Sequence, residues 1–140
     1  MMMRFVIAAA AVVSLTACSQ PRSDLAGRWE VQQIAGASLG DGVDIWIEFD
    51  EAGDTVRGFT GCRAFTGDAE VFGAMLTLAP VVEEQGECPS EAAATDEARF
   101  LGVLPSVQRY IRNGRSLELL PAARGSETLV RLRLTDENAN

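Results

Sequence analysis

From Asp44 to Asp50 the chain places Ile45, Ile47 and Phe49 on one face and Asp44, Trp46, Glu48 and Asp50 on the other. Strict alternation of this kind predicts a half-buried strand. Glu51-Ala52-Gly53-Asp54 supplies turn chemistry, and residues 55–59 return as its partner strand. Upstream, residues 29–34 alternate less cleanly but are rich in strand formers, and predict a first strand. Gly58, Gly61 and Gly67 punctuate the next stretch at a density that predicts bulges or close backbone approach. Residues 64–71 and 74–79 then predict a hairpin around Phe72-Gly73, closed by Pro80.

After an acidic loop over 81–89, the pattern changes period. Ser90 is a good N-cap, with Glu91 in the first turn to complement the helix dipole. Ala92 to Ala94 favour helix, Phe100, Leu101 and Leu104 share one helical face, and Pro105 ends the run. Residues 110–112 and 116–119 flank Asn113-Gly114-Arg115, a strong hairpin signal. A last strand over 129–134 sets Val130, Leu132 and Leu134 against Arg131 and Arg133. The pattern predicts a mainly β (α+β) fold with one helix inserted late, a small antiparallel curled sheet or β-barrel of about seven or eight strands.

The N-terminus follows neither period. Arg4 precedes an apolar run over residues 5–15 that is shorter than the ~20 residues of a membrane-spanning helix. A charged start, a short apolar run and small residues before a cysteine have the layout of a secretory signal. Leu15-Thr16-Ala17-Cys18 resembles the bacterial lipobox, which implies cleavage before Cys18 and a lipid on its thiol. The expected division is therefore a signal peptide over 1–17, a lipidated tether over 18–26, one domain over 27–135 and a tail over 136–140. Ser19 follows the cysteine where aspartate would retain the protein at the inner membrane of enteric-type bacteria. The expected location is the outer membrane, facing the periplasm.

Charge narrows the chemistry. The net charge of −8 becomes −9 when Arg4, the one charged residue of the signal, leaves. An acidic chain without a basic cluster is a poor nucleic-acid partner, because phosphate neutralisation dominates such binding. All basic side chains are arginine, with no lysine and no histidine. Histidine-based triads, histidine-bearing zinc sites and lysine Schiff bases are therefore excluded.

Cys62 and Cys88 remain once Cys18 is lipidated, and an even pair in an exported domain predicts a disulfide. Two free thiols, or a redox or metal role, are the alternatives. Glu83, Glu84 and Glu87 lack the shaped loop and oxygen count of a calcium site and read as a solvated loop. A glycosidase needs only two carboxylates at a fixed separation, but 20 acidic residues would supply some such pair by chance. We therefore expect no catalytic, cofactor or metal residues. Trp46 is the candidate ligand-facing residue, since it shares a face with carboxylates; its alternative place is a packed layer or a barrel interior.

Trp29-x-Val31-x-x-Ile34-x-Gly36, Ile47-x-Phe49, and Gly58-x-x-Gly61-Cys62 with Phe65-x-Gly67 together resemble the META domain. Cys88, the 100–104 helix, Val107, Tyr110 and Leu117-x-Leu119 continue the pattern in order. This is the family of the heat-shock protein HslJ, and the resemblance covers residues 25–134. It implies a small β-barrel with a helix and brings no catalytic set. Together with the lipobox, it leads to the expectation of a lipid-anchored envelope protein, not an enzyme, acting in stress tolerance or envelope maintenance through an unknown envelope protein partner. The other readings are a periplasmic barrel holding a small apolar ligand and an inhibitor of an envelope-directed hydrolase. The family's usual Gly-Cys-Asn is Gly61-Cys62-Arg63 here. Arginine adopts left-handed backbone less readily than asparagine, so the turn is expected to differ.

Overall fold

The computed structural model describes residues 12–15 and 21–135. Residues 1–11, Cys18 with its neighbours 16–20, and residues 136–140 lie outside the described residues, and with them most of the expected signal peptide, the expected lipidation site and the expected tail. Among the described residues nine strands run in chain order: β1 Gly27–Ile34, β2 Ala37–Ser38, β3 Trp46–Phe49, β4 Thr55–Phe59, β5 Ala64–Phe72, β6 Met75–Val82, β7 Arg109–Asn113, β8 Ser116–Leu120 and β9 Val130–Leu134. Helix α1, Glu91–Val103, and a 3-10 turn, Leu104–Ser106, lie between β6 and β7. Sequential neighbours pair antiparallel from β3 to β9, β1 pairs with β3, and β1 also pairs with β9. The result is a closed eight-stranded barrel, with β2 as an extra strand on β1.

Alternation decides which side chains fill it. Ile45, Ile47 and Phe49 are buried as predicted, as are Val130 and Leu132. The mixed pattern of β1 has a physical cause. Its register with β9 shifts between Val31 and Gln33, and that bulge lets Trp29, Val31 and Ile34 all face inward. At Gly58 the interior has no room for a side chain. A Cβ there would sit 2.3 Å from the Trp46 carbonyl oxygen and 2.4 Å from Phe65 Cζ. Phe65 occupies that space and meets Phe100 of the helix, ring centres 6.0 Å apart.

The two ends of the barrel are closed differently. At one end lies α1, with Phe100 and the following Leu104 fully buried. At the other end lie the turns 50–54, 73–74 and 114–115 and the start of β1. There the Ser23 amide donates to the Glu51 carbonyl (2.8 Å), Leu25 is fully buried, and Trp29 Nε1 donates to the Leu25 carbonyl (2.8 Å). The fold thus takes in residues 23–26, which the sequence pattern assigned to the tether. Arg112 extends over the same opening, its guanidinium 5.2 Å from the Trp29 ring centre.

Three local expectations change. Pro80 does not close the hairpin; β6 continues through it to Val82. The Glu83 amide bonds the Ala64 carbonyl, which makes Gly67↔Pro80 a non-hydrogen-bonded pair. The missing proline N–H then faces away from β5, where β7 pairs only at Met75. The β7–β8 hairpin turns at Gly114-Arg115, with Asn113 paired to Ser116. Gly114 alone takes positive φ there (+61°), so glycine at the first loop position makes the turn. The short β2 was not predicted.

Candidate functional site

Helix α1 starts as its sequence dictates: Ser90 Oγ accepts from the Ala93 amide at 3.1 Å. Its inward face carries Ala93, Asp96, Glu97 and Phe100, all buried. Two carboxylates on an otherwise apolar stripe require partners, and each has them. Asp96 Oδ2 accepts from the Gly40 amide (2.7 Å), while Asp96 Oδ1 accepts from Arg99 Nη1 (2.9 Å). Arg99 also donates to the Ile34 carbonyl at the end of β1 (2.5 Å). Gly40 lies close under the helix, since a Cβ there would sit 2.8 Å from that of Ala92.

Glu97 holds the β4–β5 turn. Thr60 Oγ1 donates to Glu97 Oε2, and Arg63 donates through Nη2 to Oε1 (2.8 Å) and through Nε to Oε2 (3.3 Å). Thr60 Oγ1 in turn accepts from the amides of Cys62 (3.3 Å) and Arg63 (3.0 Å). The expected difficulty at Arg63 does not arise, because positive φ (+97°) falls on Gly61 and not on the arginine. Arg63 instead supplies the counter-charge that a shorter asparagine would lack. Burial pushes the Glu97 carboxyl up, but the hydrogen bonds from Arg63 and Thr60 and the Arg63 charge outweigh it and hold it below its ordinary range.

The disulfide expected between Cys62 and Cys88 is present, joining the same turn to the loop before α1 across 26 residues. Its sulfurs and a Glu97 carboxylate oxygen lie within 4.8 Å of one another. That trio has the atom types of a metal site, yet sulfurs bonded to each other offer no thiolate. Disulfide, Arg63–Glu97 pair and Asp96 contacts together clamp α1 over its end of the barrel. Among the described residues no buried side-chain polar atom lacks a partner.

Trp46 stands elsewhere, outside the barrel wall. It is half-buried on the outer face of β3, with the Arg28 guanidinium carbon 3.9 Å from its ring centre. Beside it Glu48 bridges three strands, accepting from Arg28 Nε at 3.1 Å and pairing with Arg57 Nη2 at 2.6 Å. Burial raises the Glu48 carboxyl, and the hydrogen bonds and charges of Arg57 and Arg28 more than reverse this, leaving it lowered. The face continues into an open cleft of about 1040 Å³ at the N-terminal end, bordered by Arg22, Asp24, Arg28, Arg57 and Arg112. Glu83, Glu84 and Glu87 are exposed in the loop before α1.

Sequence reasoning missed Asp96, Glu97, Thr60 and Arg99. A signal was there: Ala93, Asp96 or Glu97, Phe100 and Leu104 follow helical spacing, so the stripe meeting the barrel had to contain a carboxylate. What spacing alone leaves out is the partner, since Arg63 is 34 residues away.

Comparison with known proteins agrees with this architecture. The family model described as META domain matches residues 23–136. The fold is similar to an NMR structure of a protein from Burkholderia xenovorans, with TM-score 0.61, 16% identity, and 91% of this chain and 99% of that one covered. It is also similar to a second NMR structure, with TM-score 0.59, 17% identity and coverage of 79% and 90%. A DUF4847 family protein from Bacteroides vulgatus aligns with TM-score 0.56, 15% identity and coverage of 81% and 96%. At these identities the likeness concerns the fold. No curated protein matches the chain.

Proposed function

The chain belongs to the META domain family, and from that premise we propose that it is a non-enzymatic, lipid-anchored protein of the bacterial cell envelope. It acts through protein contacts made by the outside of its barrel, in stress tolerance or envelope maintenance. The observation that carries this reading is the filled interior. Trp29, Phe49, Phe65 and Phe100 are each no more than 2% exposed and pack with the aliphatic side chains of the strands. An apolar ligand in the barrel would have to displace that core, which is packed like a crystal and yields little. The carboxylates drawn inside, Asp96 and Glu97, are engaged in holding the helix. The varied chemistry left for recognition faces outward, as at Trp46, Arg28 and Arg57.

The test is photo-crosslinking in cells, from outward positions Trp46 and Val81 of the full-length precursor. A reproducible adduct with one envelope protein is expected. Absence of any adduct under envelope stress would contradict the reading.

A further inference from the structure

Phe72 is 83% exposed and Met75 55% exposed, the two flanking the β5–β6 turn at Gly73-Ala74. They are cross-strand partners on the outward face of the hairpin. Arg109 of β7 lies opposite Met75, and Ile111, two residues further toward the same end, is 49% exposed. No charged residue lies between Val71 and Met75. A lone exposed apolar side chain is ordinary, whereas several gathered at a turn mark a contact surface.

The position of this tip identifies its partner. The Tyr110 amide donates to the Ala74 carbonyl, which ties β7 to the turn. Two residues along β7, about 7 Å, Arg112 donates to the Asp24 carbonyl. The apolar tip and the N-terminal segment thus share one end of the barrel, opposite α1. Among the described residues, Ser23 is the first whose backbone is hydrogen-bonded to the barrel, through the Glu51 carbonyl. The five Cα–Cα steps from Cys18 to Ser23 span at most about 18 Å when extended. A lipid on Cys18 would hold this end, and not the helix end, against the bilayer.

We infer that the β5–β6 tip is a second membrane contact, with Phe72, Met75 and Ile111 entering the interfacial region of the bilayer beneath the domain. The inference rests on the lipid anchor proposed above. Apolar insertion is the contact the tip itself offers, since no charged residue lies between Val71 and Met75. Tethering makes that insertion intramolecular, so a few apolar side chains suffice. Docked in this way, α1 and the disulfide point away from the membrane.

The test uses the mature lipidated protein carrying F72W, in phosphatidylethanolamine–phosphatidylglycerol vesicles with or without bromine on the acyl chains. Phe72 is mostly exposed, so the substitution leaves the core intact. The expected result is flotation with the vesicles, a blue shift of the added emission, and loss of most of that emission in brominated lipid. Flotation with no added quenching would overturn the inference and leave the anchor reading standing. Failure to float, with an unmodified Cys18 by mass, would overturn both. A blue shift that grows with protein density and ignores bromine would overturn the inference in favour of contact between two copies of this chain.

Discussion

Replacing Glu97 by alanine removes at once the acceptor for the Thr60 hydroxyl and for two nitrogens of Arg63. Glu97 is 8% exposed, so water replaces little of what is lost. Truncating one member of a fully buried ion pair costs about 3–5 kcal/mol. The Arg63 side chain keeps 29% of its surface in water and can recover hydration, which reduces the penalty. Hydrogen bonds to charged groups contribute roughly 1.5–3 kcal/mol net, so a loss of about 2–3 kcal/mol is expected for the set. Its pH dependence follows from the sign of the shift. The folded carboxyl is lowered, so its stabilisation is fully present above the unfolded value and is lost as pH falls through the folded one. Urea unfolding of wild type and E97A, both oxidised and followed by tryptophan fluorescence, is the assay. The gap between them should be full at neutral pH and should narrow below about pH 4. A gap under about 0.5 kcal/mol at neutral pH, the range of ordinary surface changes, would refute the clamp. So would a gap unchanged by acid.

Other predictions concern single features. Replacing Cys88 by serine should destabilise the domain by about 3.5 kcal/mol, the loop-closure value for a 26-residue separation, read as a lower urea midpoint. Gly58→Ala should cost about 1–3 kcal/mol, because its Cβ would meet backbone at Trp46 and the Phe65 ring; an unchanged thermal midpoint would contradict the packing. Acrylamide should quench Trp46 and spare Trp29, which is fully buried, so W46F should remove most of the quenchable emission.

Much of the barrel was legible because each clear strand meets the core on one side and water on the other. Residues 44–50 and 130–134 show this directly. Legibility failed where tertiary contact overrode the local signal. β2 forms through a turn at Ala35-Gly36, in which alanine takes φ +49°, a place where asparagine would have announced the hairpin. Leu25 looked like tether because its burial depends on an opening created by distant strands. Pro80 looked like a strand end because its tolerance depends on register with Gly67 and on a sparsely paired edge. The disulfide was readable from the cysteine count and the expected export, while the clamp around it was not, since pairing a helix carboxylate with a turn arginine requires the fold.

The proposed function places this packed barrel at a membrane, held by a lipid on Cys18. Its most direct test is the intact mass of the protein extracted from cell membranes. The expected mass is that of a chain that begins at Cys18, carries a diacylglyceryl group, and lacks one hydrogen at each of Cys62 and Cys88. A chain that retains residues 1–17, or one with an unmodified Cys18, would contradict it.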